Sequence, residues 1–113
     1  MVAENPAIDR RTVATVTPDR GAVSPIAEVR DRTRARVAGT VRAVTLRPPS
    51  TAAAFEAILD DGSGALRVVW MGQRDIPGIG PGRRLLVEGR VSFDVHGPTM
   101  RDPRYELLPG GTP

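Results

Sequence analysis

The fold is decided by two stretches, Arg36-Val37-Ala38-Gly39-Thr40-Val41-Arg42 and Leu85-Leu86-Val87-Glu88-Gly89-Arg90-Val91. Both alternate with a period of two, so Val37, Gly39 and Val41 share one face while Arg36, Thr40 and Arg42 share the other, the pattern of a strand with one wet side. Both also carry Val-x-Gly-x-Val. A glycine at the same central place in two strands points to a crowded seam where backbones approach closely in a small closed barrel.

Working outward, the first strand runs from about Arg34 toward Leu46. Val44 and Leu46 switch the apolar parity, which places a bulge near Ala43, and Pro48-Pro49-Ser50 stops the strand. Phe55 to Leu59 is a second strand with Phe55, Ala57 and Leu59 toward the core. Asp60-Asp61-Gly62-Ser63-Gly64 is a hairpin loop, better explained by turn chemistry than by cation binding. The third strand sets Leu66, Val68 and Trp70 against Arg67, Val69 and Met71. Pro77-Gly78-Ile79-Gly80-Pro81-Gly82 turns the chain and has no following Lys-Ser/Thr to make a phosphate loop. After the fourth strand, Phe93 to Thr99 reads as a loop. The last strand, Met100 to Leu108, contains Asp102-Pro103, and a proline there marks an edge or a bulge. Upstream, Ser24-Pro25 predicts a short helix over 25–31. Residues 1–23 read as a flexible arm with a weak strand pattern at Thr12 to Val16, and 109–113 as a flexible tail. The domain is expected over 24–108.

Composition supports an all-β module and narrows the chemistry. The 113 residues suit one domain, and 12 Gly with 11 Pro favour many turns. No cysteine is present and His96 is the single histidine, which removes thiolate chemistry, disulfides and a histidine-rich metal site. No Gly-x-Ser-x-Gly elbow occurs, so the reading is a non-enzyme without cofactor or metal. The acidic start and the lack of a long apolar run predict a soluble, cytoplasmic protein with no membrane partner. All 16 basic residues are Arg, against 13 acids. A GC-rich genome accounts for the absence of Lys but not for the net +3. That excess lies from Arg34 to Leu108, with 11 Arg to 8 acids, while residues 1–33 balance at 5 and 5. Arginine suits bidentate phosphate contacts and stacking.

The order Val37-x-Gly39-x-Val41, Asp61-Gly62-Ser63-Gly64, Leu66-x-Val68-x-Trp70, Pro81-Gly82, Val87-x-Gly89-x-Val91 and Asp102-Pro103-Arg104-Tyr105-Glu106 resembles the OB-fold nucleic-acid-binding domains of the tRNA-anticodon type. It is most similar to the wedge domain of RecG-type bacterial helicases. The resemblance covers residues 26 to 108 and implies a five-stranded Greek-key barrel. It also implies binding of single-stranded or junction DNA or RNA with low sequence specificity. With no motor domain alongside, it does not imply unwinding.

In such a barrel the ligand crosses strands 2 and 3 between the loops joining strands 1–2 and 4–5. Mapped onto this chain, that face offers Glu56, Ile58, Arg67, Val69 and Met71. The candidate nucleic-acid contacts are Arg42, Arg47, Arg67 and Arg74 for phosphates, with Phe93 for base stacking and His96 beside it. Trp70 and Tyr105 share core parity and are expected to pack rather than stack; His96 next to Gly97-Pro98 also fits a turn. Arg83 and Arg84 suit a solvated rim or phosphate. The rival function is a protein-interaction module or homodimer, built on an exposed trio of Ile58, Val69 and Met71.

Overall fold

The computed structural model describes residues 22–46 and 53–110. The expected arm over its first 21 residues, the strand pattern at Thr12 to Val16, the stop at Pro48-Pro49-Ser50, Arg47 and the last residues of the tail lie outside the described residues. The strands are β1 (Thr33–Leu46), β2 (Ala54–Asp60), β3 (Ala65–Met71), β4 (Arg84–Asp94), β5 (Gly97–Arg101) and β6 (Arg104–Leu108).

β1 is long because it serves two neighbours in turn. Thr33 to Thr40 pairs antiparallel with β4, and Thr40 to Leu46 with β2, the register slipping between Val41 and Ala43 where the parity of the sequence changes. β2 and β3 form a hairpin, β3 lies parallel to β5, and β5 returns antiparallel along β4. The circuit β1-β2-β3-β5-β4-β1 is therefore closed, a five-stranded barrel, with β6 attached outside it along β4. The two glycine strands meet as the shared motif implies: Val37 is the register partner of Val87. A Cβ on Gly39 would stand 2.8 Å from the Asp60 carbonyl oxygen, and one on Gly89 would stand 3.2 Å from Pro103 Cβ, so both sites are crowded.

Inside the barrel, Val37, Leu59, Leu66, Val68, Leu85, Val87, Val91 and Met100 are fully excluded from solvent, and alternate residues on each strand supply them. Ile76 and Ile79, buried from the β3–β4 connection, join this core, so the Gly/Pro run does more than turn the chain. Ile26 enters it from the segment before β1. Trp70 is buried, its indole N–H donating to the Pro103 carbonyl at 3.2 Å. The expected packing role for Trp70 holds.

Four expectations require correction. The helix over 25–31 is only a 3-10 turn, Ile26–Glu28, and Pro25 before it is extended with no side-chain cap. The reason is tertiary: the Ile26 and Ala27 amides donate to Asp61 Oδ2 and Ser63 Oγ in the β2–β3 loop, which ties the segment to a turn 35 residues away instead of to its own next turn. The span Phe93 to Thr99 is not a loop. Phe93 and Asp94 end β4, Gly97 begins β5, and only Val95-His96 turns between them, with Gly97 at φ +93°. The last strand is two strands, because Asp102 at φ +51° inserts one extra residue opposite β4. Finally, Tyr105 is 44% exposed, since β6 lies outside the closed circuit; its ring meets Trp70 edge-on at 5.5 Å.

Candidate nucleic-acid interface

The outer face of β2, β3 and β5 is built from rows that the register defines: Ile58, Arg67 and Thr99 lie side by side, as do Glu56, Val69 and Arg101. Arg67 occupies the middle. Its Nε and Nη2 donate to the two Glu56 carboxylate oxygens at 3.2 Å each, and Nη1 reaches Asp94 Oδ2 at 3.5 Å. With only 15% of its side chain exposed, this guanidinium is committed to carboxylates. Arg101 adds a second contact to Asp94 at 3.7 Å and one to Ser92 Oγ. Arg42, displaced outward beside the bulge, pairs with Asp60 at 2.7 Å. Three guanidiniums thus meet three carboxylates, and the face has no net charge.

Asp94 organises the β4–β5 end of this network. Its Oδ1 accepts the His96 backbone N–H at 2.8 Å and its Oδ2 accepts the Thr99 hydroxyl at 3.3 Å. The His96 amide holds the carboxyl below the usual aspartate range against desolvation, with the Arg67 charge and the Thr99 hydroxyl adding to the lowering. His96 is accordingly a turn residue whose backbone does the work.

Of the six sequence candidates, Arg67 and His96 come together through Asp94, and Phe93 adjoins them. Phe93 is 46% exposed past the barrel end, with its amide held by Asp31 Oδ1. Arg74 is exposed in the β3–β4 connection, apart from the network. The apolar trio does not form: Val69 is 1% exposed, Ile58 is half-buried, and Met71 alone is open. In the β2–β3 loop, Asp61 Oδ1 accepts the Ser63 and Gly64 amides and Asp60 Oδ1 accepts that of Gly62, so the acidic pair shapes the turn. Among the described residues no group of His, Asp and Glu could hold a metal ion.

The fold is similar to that of solved structures. The S. pombe Stn1-Ten1 complex contains a chain matching 68% of this one at 21% identity and a TM-score of 0.54. The p204 HINb domain matches 92% of this chain at 16% identity and a TM-score of 0.62. The fold is that of an OB barrel. This chain spans 59% and 55% of those two chains. No family model matches the sequence, and no curated protein matches it significantly.

What the sequence reading missed lies on another wall of the OB barrel. Arg34, Arg90 and Arg104 are exposed on β1, β4 and β6 and make no ion pair among the described residues. The signal was present as Arg34-x-Arg36 and Glu88-x-Arg90 on the outward parity of the two glycine strands. Reading it required knowing that those strands are neighbours. Among the described residues no helix is long and apolar enough to cross a membrane.

Proposed function

We propose that this chain is a non-catalytic, cytoplasmic OB domain over residues 24–108, with an arm and a short tail, that binds single-stranded or junction nucleic acid with little sequence preference. The observation that carries the reading is an OB barrel whose cations are all arginine, six of them exposed and outside any ion pair among the described residues: Arg30, Arg32, Arg34, Arg74, Arg90 and Arg104. Exposed arginine supplies phosphate contacts, and Phe93 supplies a stacking surface. Arg42 and Arg67, held by carboxylates, are poor phosphate ligands, so the affinity rests on the others. The finer likeness to anticodon-type and RecG wedge domains rests on motif order.

The test is a titration of labelled single-stranded DNA and RNA by the full chain at several salt concentrations. With three or four phosphates contacted, log K falls against log salt with a slope of about −2 to −3. Absence of binding at low salt by folded protein overturns the proposal. A protein partner is the second reading, favoured by the open edge of β6 and by the solution of one similar chain within the Stn1-Ten1 complex.

A further inference from the structure

Along the β1–β4 seam, Val37, Val87 and Val91 point into the barrel, so Arg34, Arg36, Glu88 and Arg90 point out. Arg34 and Arg90 are register partners, which sets two exposed guanidiniums on neighbouring strands with Cα atoms about 4.5–5.5 Å apart. Like charges so placed oppose sheet pairing. Two residues along, Arg36 faces Glu88, and Glu88 in turn faces Arg104 on β6. This wall therefore holds the exposed Arg34, Arg90 and Arg104 and the buried, already partnered Arg36 against Glu88 and Glu106, whereas the other eight arginines among the described residues are matched by eight acids. The surplus charge is here and not on the β2–β3 face.

A cavity of about 170 Å³ opens at the β6 end of the wall, lined by Leu86, Glu88, Arg104, Tyr105 and Glu106. Leu86 gives it an aliphatic lining and Arg104 a guanidinium, while the Tyr105 ring, on the parity of its register partner Val87, lies on the other face of β6 against Trp70. Arg104 lies two strands from Arg34, roughly 10 Å across the sheet. A single free anion does not reach all three exposed arginines, but an extended polyanion does.

We infer that the outer wall of β1, β4 and β6, not the β2–β3 face, carries the bound strand, with Arg34, Arg90 and Arg104 on phosphates. This rests on the nucleic-acid function proposed above and names its path. A phosphodiester chain resolves the unpaired Arg34–Arg90 juxtaposition, and the neutral β2–β3 network explains itself as structural.

The experiment compares the full chain with Arg34→Ala/Arg90→Ala and with Arg42→Ala/Arg101→Ala, using labelled oligo-dT and oligo-U at about 50 mM salt and above. The first variant should lose roughly tenfold or more in affinity at the low salt, with a slope shallower by about 1.4 for two lost contacts. Its melting temperature should hold or rise, because two like charges are gone, so misfolding does not imitate the result. The second variant should bind within about twofold of the parent. If Arg34→Ala/Arg90→Ala binds as the parent does, or both double variants weaken alike, the path is wrong while the function stands. A parent that binds neither probe removes the function itself and the path with it.

Discussion

Gly39→Ala tests whether the seam between β1 and the end of β2 is as tight as it looks. The added methyl would lie 2.8 Å from the Asp60 carbonyl oxygen, 3.0 Å from its carbon and 3.1 Å from Leu59 Cγ, where ordinary contact begins at 3.4 Å. About 0.6 Å of separation must be found, and two of the three obstacles are backbone rather than a side chain with room to swing. Asp60 is also pinned by Thr40 in register and by its bonds to Arg42 and the Gly62 amide. Overpacking of this kind costs about 1–3 kcal/mol, offset by roughly 0.5–1 kcal/mol from a less flexible unfolded chain. The net loss should be about 1–2 kcal/mol, equivalent to a fall in melting temperature of roughly 5–15 °C at this size. Urea unfolding followed by Trp70 fluorescence reads it, and the urea dependence should keep its slope. Gly80→Ala is the reference, with nothing within 4 Å of its Cβ and no positive φ; it should be neutral or slightly stabilising. A Gly39→Ala protein as stable as the Gly80→Ala protein would refute the crowding argument.

Three further outcomes follow from contacts described above. Trp70→Phe removes the donor to the Pro103 carbonyl and should cost about 1–3 kcal/mol in denaturant unfolding, with a longer-range loss of Tyr105 ring-current shifts by NMR. Arg67→Ala leaves Glu56 and Asp94 without their shared guanidinium and should destabilise by about 1–3 kcal/mol while leaving the salt slope of nucleic-acid binding unchanged; a shallower slope would mean that Arg67 reaches phosphate after all. Asp94 has a folded-state pKa below its unfolded value, so its stabilising contribution is present above the unfolded pKa and is lost as pH falls through the folded one. A carboxyl carbon NMR titration should place Asp94 below ordinary aspartate, and Asp94→Asn should flatten the acid limb of stability against pH.

Where a reading depended on alternation along one strand, the residues displayed it. Val37 and Val87 announced the seam by their shared Val-x-Gly-x-Val, the parity change after Val41 announced the bulge, and Asp102-Pro103 announced the break in the last strand. Readings that depended on which strands are neighbours were hidden. Arg67 looks like a free cation until β2 and the end of β4 bring Glu56 and Asp94 to it. Ile76 and Ile79 are isolated apolar residues in a Gly/Pro run, with no period to betray that they enter the core. Pro25 to Asp31 has a helix-start signature, but Asp61 and Ser63 capture its amides from across the fold. Tyr105 alternates as a core residue does, and only the closure of the barrel without β6 leaves it exposed.

The bulge at Asp102 gives the two halves of one hairpin arm different standing in the folded state. β5 is a stave of the barrel, whereas β6 hangs on β4 alone, so the terminal strand can lift away without opening the circuit. Such a unit opens at a free energy below that of global unfolding. Amides of β6 should therefore exchange with deuterium ahead of those in β3 and the centre of β4, and the Trp70 indole proton, tethered to Pro103 where the unit begins, should report the same opening. Any ligand that bridges β6 to β1 would clamp this flap and slow its exchange, giving the domain a way to register occupancy through one strand rather than through the barrel as a whole.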